Sequence, residues 1–172
     1  MRIIAGELKG RRLKTPTWDG LRPTSDKLRE TLFNVLAARV AGARVLDFYA
    51  GTGAIGIEAL SRGAAQVTFV DHDTRAMRLI EQNLRHCGVT DRYVIIRGPQ
   101  SLAAGSFDLA VLDPPYDEPD LMVSIAAAEP LIARGGLLVL EHARRRPAPE
   151  TVNRLRLTRD LVSGDSALAF YL

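Results

Sequence analysis

The stretch from Arg44 to Gly56, a short apolar run that ends in glycines, constrains this chain more than anything else in it. Val45-Leu46-Asp47-Phe48-Tyr49 has the length and content of a buried strand, and Ala50-Gly51-Thr52-Gly53-Ala54-Ile55-Gly56 completes a G-x-G-x-x-G where a helix should begin. Glycines at such a junction let the backbone turn sharply and approach a ligand closely. The alternation continues down the chain. Strands are predicted near 44–49, 66–71, 93–97, 108–113 and 136–141, and helices near 54–62, 74–86 and 120–133, with Gly63 and Gly88 at helix ends. Buried strands separated by helices predict an α/β fold, a doubly wound parallel sheet whose ligand sits at the carboxyl ends of the strands. After Pro149 the pattern changes to 155–161 and 167–172 around Ser163-Gly164-Asp165, a terminal antiparallel pair.

Ahead of this core, residues 2–6 and 12–14 flank Lys9-Gly10-Arg11 and predict a short polar hairpin on an edge. A helix should follow Pro23, capped by Thr24, packing through Leu28, Leu32, Val35 and Leu36 and leaving the Arg29 side unpacked. At 172 residues the chain is long enough to bury a core without staples. We read residues 1–172 as a single domain, with a basic hairpin and helix over 1–40 and a catalytic core over 41–172. Residues 1–30 hold eight basic side chains against four acidic ones, whereas the rest of the chain is near neutral, with fifteen against sixteen. Clustered Lys and Arg gain from neutralising phosphates and releasing counterions, so Lys9, Arg11, Arg12, Lys14 and Arg22 are candidate polyanion contacts. A merely solvated surface element accounts for the charge equally well. The single cysteine, Cys87, excludes an intrachain disulfide and a cysteine zinc site, and no metal is expected. No run of about 18 apolar residues exists, and Glu7 and Lys9 interrupt any signal peptide, so the expectation is a cytoplasmic protein without membrane contact.

Two motifs carry chemistry. Asp71 closes the second strand 20 residues beyond Gly51, where a carboxylate can bind a ribose. Gly51, Gly53 and Asp71 alone suit a dinucleotide as well as S-adenosyl-L-methionine. Asp47 favours the latter, because a carboxylate there would repel a pyrophosphate and attract cationic amino and sulfonium groups. A glycine turn that only packs helix on strand is the bland alternative. The fourth strand ends in Leu112-Asp113-Pro114-Pro115-Tyr116. Two prolines give a stiff backbone with no amide donors and with carbonyls free to accept. Asp113 and the Pro114 carbonyl could hold the two hydrogens of a nucleobase amine and favour the geometry that frees its lone pair. Tyr116 offers a flat face for the base. A proline-rich turn after a buried strand is the simpler reading of this motif by itself.

The chain also resembles a known family. Arg22-Pro23-Thr24 leading into Arg29-Glu30-Thr31-Leu32-Phe33-Asn34, DFYAGTGAIGIEALSRGA from Asp47, and DPPY from Asp113 are similar to the bacterial 16S ribosomal RNA guanine-N2 methyltransferases of RsmD type. The similarity extends to Arg2-Ile3-Ile4-Ala5-Gly6, Gly10-Arg11-Arg12-Leu13 and Gly164-Asp165-Ser166-Ala167-Leu168 before Phe170-Tyr171. It implies a class I S-adenosylmethionine-dependent fold, Rossmann-like, with a seven-stranded sheet and an N-terminal β-hairpin. It implies methylation of guanine 966 in the small subunit, with ribosomal RNA as partner in the subunit or an assembly intermediate, by a monomer. Where the family carries an acidic residue after the third strand, this chain reads Arg97-Gly98-Pro99-Gln100, which makes Gln100 the candidate contact to adenine. His72 stands where an apolar residue often lies beside that ring, although an exposed loop histidine is the plainer reading.

Three other functions fit parts of this pattern. DPPY senses an amine and not its ring, so an adenine-N6 or cytosine-N4 DNA methyltransferase shares the chemistry. A nicotinamide-dependent oxidoreductase rests on the glycines alone. A non-catalytic RNA-binding scaffold would keep the fold while Pro99 disables the cofactor site. His86, His142 and Cys87 receive no catalytic role, the last being a packing residue.

Overall fold

A computed structural model describes residues 1–18, 24–115 and 118–172. Its strands are β1 (Arg44–Phe48), β2 (Gln66–Asp71), β3 (Tyr93–Arg97), β4 (Phe107–Leu112), β5 (Ile132–Ala143), β6 (Thr151–Val152), β7 (Leu155–Ser163) and β8 (Ser166–Tyr171). The helices are α1 (Asp26–Leu36), α2 (Ala54–Ser61), α3 (Thr74–His86) and α4 (Leu121–Ala128). The strands form one mixed sheet in the order β3-β2-β1-β4-β5-β8-β7-β6. β1 to β5 run parallel, and β8 inserts antiparallel between β5 and β7. Eight strands stand where the family resemblance implied seven, the extra one being the two-residue β6 paired to β7 at the edge.

Alternate residues of each strand feed opposite faces, as the pleat requires. Val45, Leu109, Val111 and Val139 join the cluster covered by α1, α2 and α3, whereas Leu46, Phe48, Leu112 and Leu140 join the one under α4. α4 is shorter than its apolar run suggests. It passes at Glu129 into a 3-10 turn containing Pro130, which has no amide donor to continue the helix, and β5 begins at Ile132.

The N-terminal segment folds back on itself with one bridge pair, Arg2 to Arg12, and with Ile3 N donating to Arg11 O at 2.9 Å. It does not lie on a sheet edge. Ile4 and Ala5 amides donate to the Glu58 carboxylate at 2.8 and 3.0 Å, Leu8 N to Ser61 Oγ at 2.9 Å, and Lys14 N to Asn83 Oδ1 at 2.8 Å. These acceptors are buried polar residues of α2 and α3, and they dock the segment so that Ile3 and Leu13 enter the core.

Two expectations for α1 need correction. Its cap is Ser25, whose side chain accepts from Leu28 N, and not Thr24. Arg29, expected on the open side, is 0% exposed: the N-terminal segment covers it, and Nη2 donates to Arg2 O at 2.7 Å and to Asp26 at 2.6 Å.

Candidate active site

Register brings the carboxyl ends of the parallel strands level. Phe48 lies opposite both Val70 and Leu112, Asp71 opposite Arg97, and Leu112 opposite Leu140. The glycine loop leaves the central strand, β1, at this end. Tyr49 enters it with a left-handed backbone (φ 68°), and the amides of Tyr49 and Ala50 both donate to Val70 O at 3.0 Å. Gly51 and Gly53 continue with φ of 53° and 76°, conformations that L side chains resist. Gly56 has a different reason to be glycine: a Cβ there would come within 2.2 Å of the Phe69 ring, so the residue sets how closely α2 packs on β2.

Two carboxylates hold the loop. Asp71 Oδ2 accepts from Gly51 N at 2.9 Å while Oδ1 accepts from Asp73 N at 2.9 Å, which fixes both oxygens beside the loop. Asp47 is 1% exposed and accepts from Gly56 N at 2.9 Å. It therefore braces the first turn of α2 from within and does not lie open to a ligand, as its charge had suggested. Burial pushes its carboxyl up to about 8, opposed by the Gly56 bond and reinforced by the charges of Asp113 and Asp71. That coupling means three acidic groups share this end of the sheet.

Asp113 follows β4 directly, and its amide donates to Phe48 O at 3.2 Å, tying the Asp-Pro-Pro turn to the end of β1. Thr24 Oγ1 donates to Asp113 Oδ2 at 2.7 Å, from 89 residues away. Pro114 is buried and Pro115 exposed. Arg146 steadies the chain beyond, donating to the carbonyls of Glu118 and Pro119, while its own carbonyl lies 2.8 Å from His142 Nδ1. Tyr116 and Arg22 lie outside the described residues.

The remaining sequence candidates lie on the surface. His72 and Gln100 are exposed, and the Gln100 amide lies against Gly98 so closely that a Cβ there would sit 2.4 Å from it. Lys9, Arg11, Arg12 and Lys14 are exposed but dispersed. Lys9 lines a groove of about 360 Å³ with Arg2, Asp26, Lys27 and Glu30. Arg11 reaches Gly88, beyond the last turn of α3, whose 13 residues span about 20 Å from their start beside Asp71. Cys87 is buried, and burial raises its thiol.

Thr24 and Asn83 escaped sequence reasoning. Asn83 bridges Lys14 and the glycine loop, its Nδ2 donating to Thr52 O at 2.9 Å. Its signal was available: an amide on the apolar face of α3, among Ala76, Leu79, Ile80 and Leu84. Among the described residues, no acidic, histidine or cysteine group is arranged to hold a metal ion, and no helix is long and apolar enough to cross a membrane.

Comparison with known proteins matches residues 1–172 to the family described as conserved hypothetical protein 95. The chain is 34% identical over 176 residues to ribosomal RNA small subunit methyltransferase D of Escherichia coli (strain K12), covering 99% of this chain and 89% of that protein. It is 36% identical over 180 residues to YlbH of Bacillus subtilis (strain 168), covering 99% and 98%. Among solved structures, yhhF from Escherichia coli superposes with a TM-score of 0.85 at 34% identity, covering 99% of this chain and 96% of the other.

Proposed function

The chain belongs to the ribosomal RNA small subunit methyltransferase D family, and from that membership we propose that it transfers a methyl group from S-adenosyl-L-methionine to N2 of guanine 966 in 16S ribosomal RNA. Membership makes it an RNA methyltransferase with the class I α/β fold, and leaves the oxidoreductase and scaffold readings without support. The observation that supports transfer to an amine is the juxtaposition of the Asp113 turn with the end of β1 that feeds the glycine loop, joined through the Asp113 amide and Phe48 O, and the choice of guanine rests on the family.

The residues at this end of the sheet fit the cofactor. Gly51 and Gly53 allow close approach of the backbone, and Asp71, fixed by two amides, presents lone pairs to ribose hydroxyls. The carboxylates of Asp71 and Asp113 at this end of the sheet suit a cation. When bound, S-adenosylmethionine supplies an already activated methyl group. His72 and Gln100, exposed just beyond β2 and β3, would hold the adenine. Asp113 and the Pro114 carbonyl accept the two hydrogens of the guanine amine, and Tyr116 stacks on the base. Positioning and charge complementarity then account for most of the rate. Lys9, Arg11, Arg12, Lys14 and Arg22 contact phosphates on one basic arm of a single-domain, monomeric enzyme.

The test is transfer of labelled methyl to naked 16S RNA, to small subunits and to DNA, followed by digestion to nucleosides. The expected product is N2-methylguanosine at one position. Label on adenine N6 or cytosine N4, or in DNA, contradicts the assignment.

A further inference from the structure

The carboxylate of Asp113 cannot accept from the amide two residues on, as three other aspartates in this chain do. Asp71 accepts from the amide two residues on, at Asp73, as Asp73 does from Arg75 and Asp120 from Met122, at 2.7 to 2.9 Å. Such a turn holds an aspartate side chain from within its own loop. At Asp113 the next two residues are Pro114 and Pro115, which have no amide hydrogen. Strand pairing and the bond from its amide to Phe48 O fix the backbone of Asp113, and side-chain contacts set the torsions beyond it.

Thr24 supplies a donor. Its hydroxyl reaches Asp113 Oδ2 at 2.7 Å, and Ser25, by capping α1, leaves Thr24 available for this purpose. We propose that Thr24 is a positioning residue for methyl transfer: it holds the Asp113 carboxylate in one orientation, so that the carboxylate can accept a hydrogen of the target amine. The bond also links the chemistry to the basic arm, because Thr24 is two residues beyond Arg22. The inference rests on the proposed role of Asp113 and extends it to a residue that does not touch substrate.

The test is a double-mutant cycle on single-turnover methyl transfer to the RNA substrate, with cofactor affinity and melting temperature measured for every variant. Thr24→Val keeps the shape and removes the donor. It is expected to slow transfer about 10- to 100-fold, the loss that one hydrogen bond to a charged group implies, with cofactor affinity and KM for RNA changed less than about twofold. Thr24→Ser should restore most of the rate. In an Asp113→Ala background Thr24→Val should cost nothing further, because its effect runs through that carboxylate. Unchanged transfer by Thr24→Val, failure of serine to rescue, or an equal further loss in the double variant would each overturn the proposal. If the unaltered protein transfers no methyl group to any RNA, the reading of Asp113 fails first and takes this inference with it.

Discussion

Asp47 departs from its formal charge. Its folded carboxyl is raised to about 8 by burial, whereas in the unfolded chain it titrates in the usual carboxylate range near 4. The fold therefore binds a proton that the unfolded chain has released between those values. The stability this contributes is complete below about pH 4 and is lost as pH rises through 8. Asp47→Asn keeps an acceptor for Gly56 N and cannot ionise. In denaturant titrations it should gain stability relative to the unaltered protein from pH 5 to pH 9, and parallel pH profiles would show that Asp47 is already ionised in the fold. Asp71 makes the opposite contrast, a half-buried carboxylate held open by two amides. Asp71→Ala should weaken binding of S-adenosylmethionine by about 1–3 kcal/mol in calorimetry, and unchanged affinity would remove Asp71 from the cofactor site.

At the scale of elements, the strands and α3 were legible because apolar runs and amphipathic spacing act locally. α3 occupies residues 74–86 as its periodicity predicts, and β2 and β3 match likewise. The N-terminal segment was misjudged for the converse reason. Its place depends on acceptors from Glu58, Ser61 and Asn83, more than 50 residues away, and on covering Arg29. Asp113, Asp71 and the glycines could be placed at one end of the sheet because each follows or closes a strand that the sequence marks locally. Thr24 could not, since nothing in its neighbourhood announces a partner 89 residues distant. The α2–β2 contact offers a stability test. Gly56→Ala would press a methyl group into Phe69 and should cost about 1–3 kcal/mol in chemical denaturation; a neutral result would mean that the two elements separate easily. For the basic arm, neutralising Arg11 and Arg12 together should reduce the salt slope of RNA binding by about 0.7 to 0.9 per lost phosphate contact while sparing cofactor affinity. An unaltered slope would make these residues structural and move the RNA surface elsewhere.

Across the whole molecule, the sheet order carries ligand chemistry to one end, and the N-terminal segment reaches that end twice. One contact runs through Asn83 to Thr52 in the glycine loop, and the other through Thr24 to Asp113. The arm proposed to hold RNA is thus bonded to the parts proposed to hold cofactor and target base. The central claim is that Asp113 acts on the amine and not on the cofactor. Methyl transfer by Asp113→Ala at saturating S-adenosylmethionine, with cofactor affinity measured on the same preparation, tests it most directly. The expected result is a rate lower by about two to three orders of magnitude with affinity nearly intact, as for loss of one preorganised hydrogen-bonding group. A variant that transfers methyl at the original rate, or one that loses cofactor binding in proportion to activity, would contradict it.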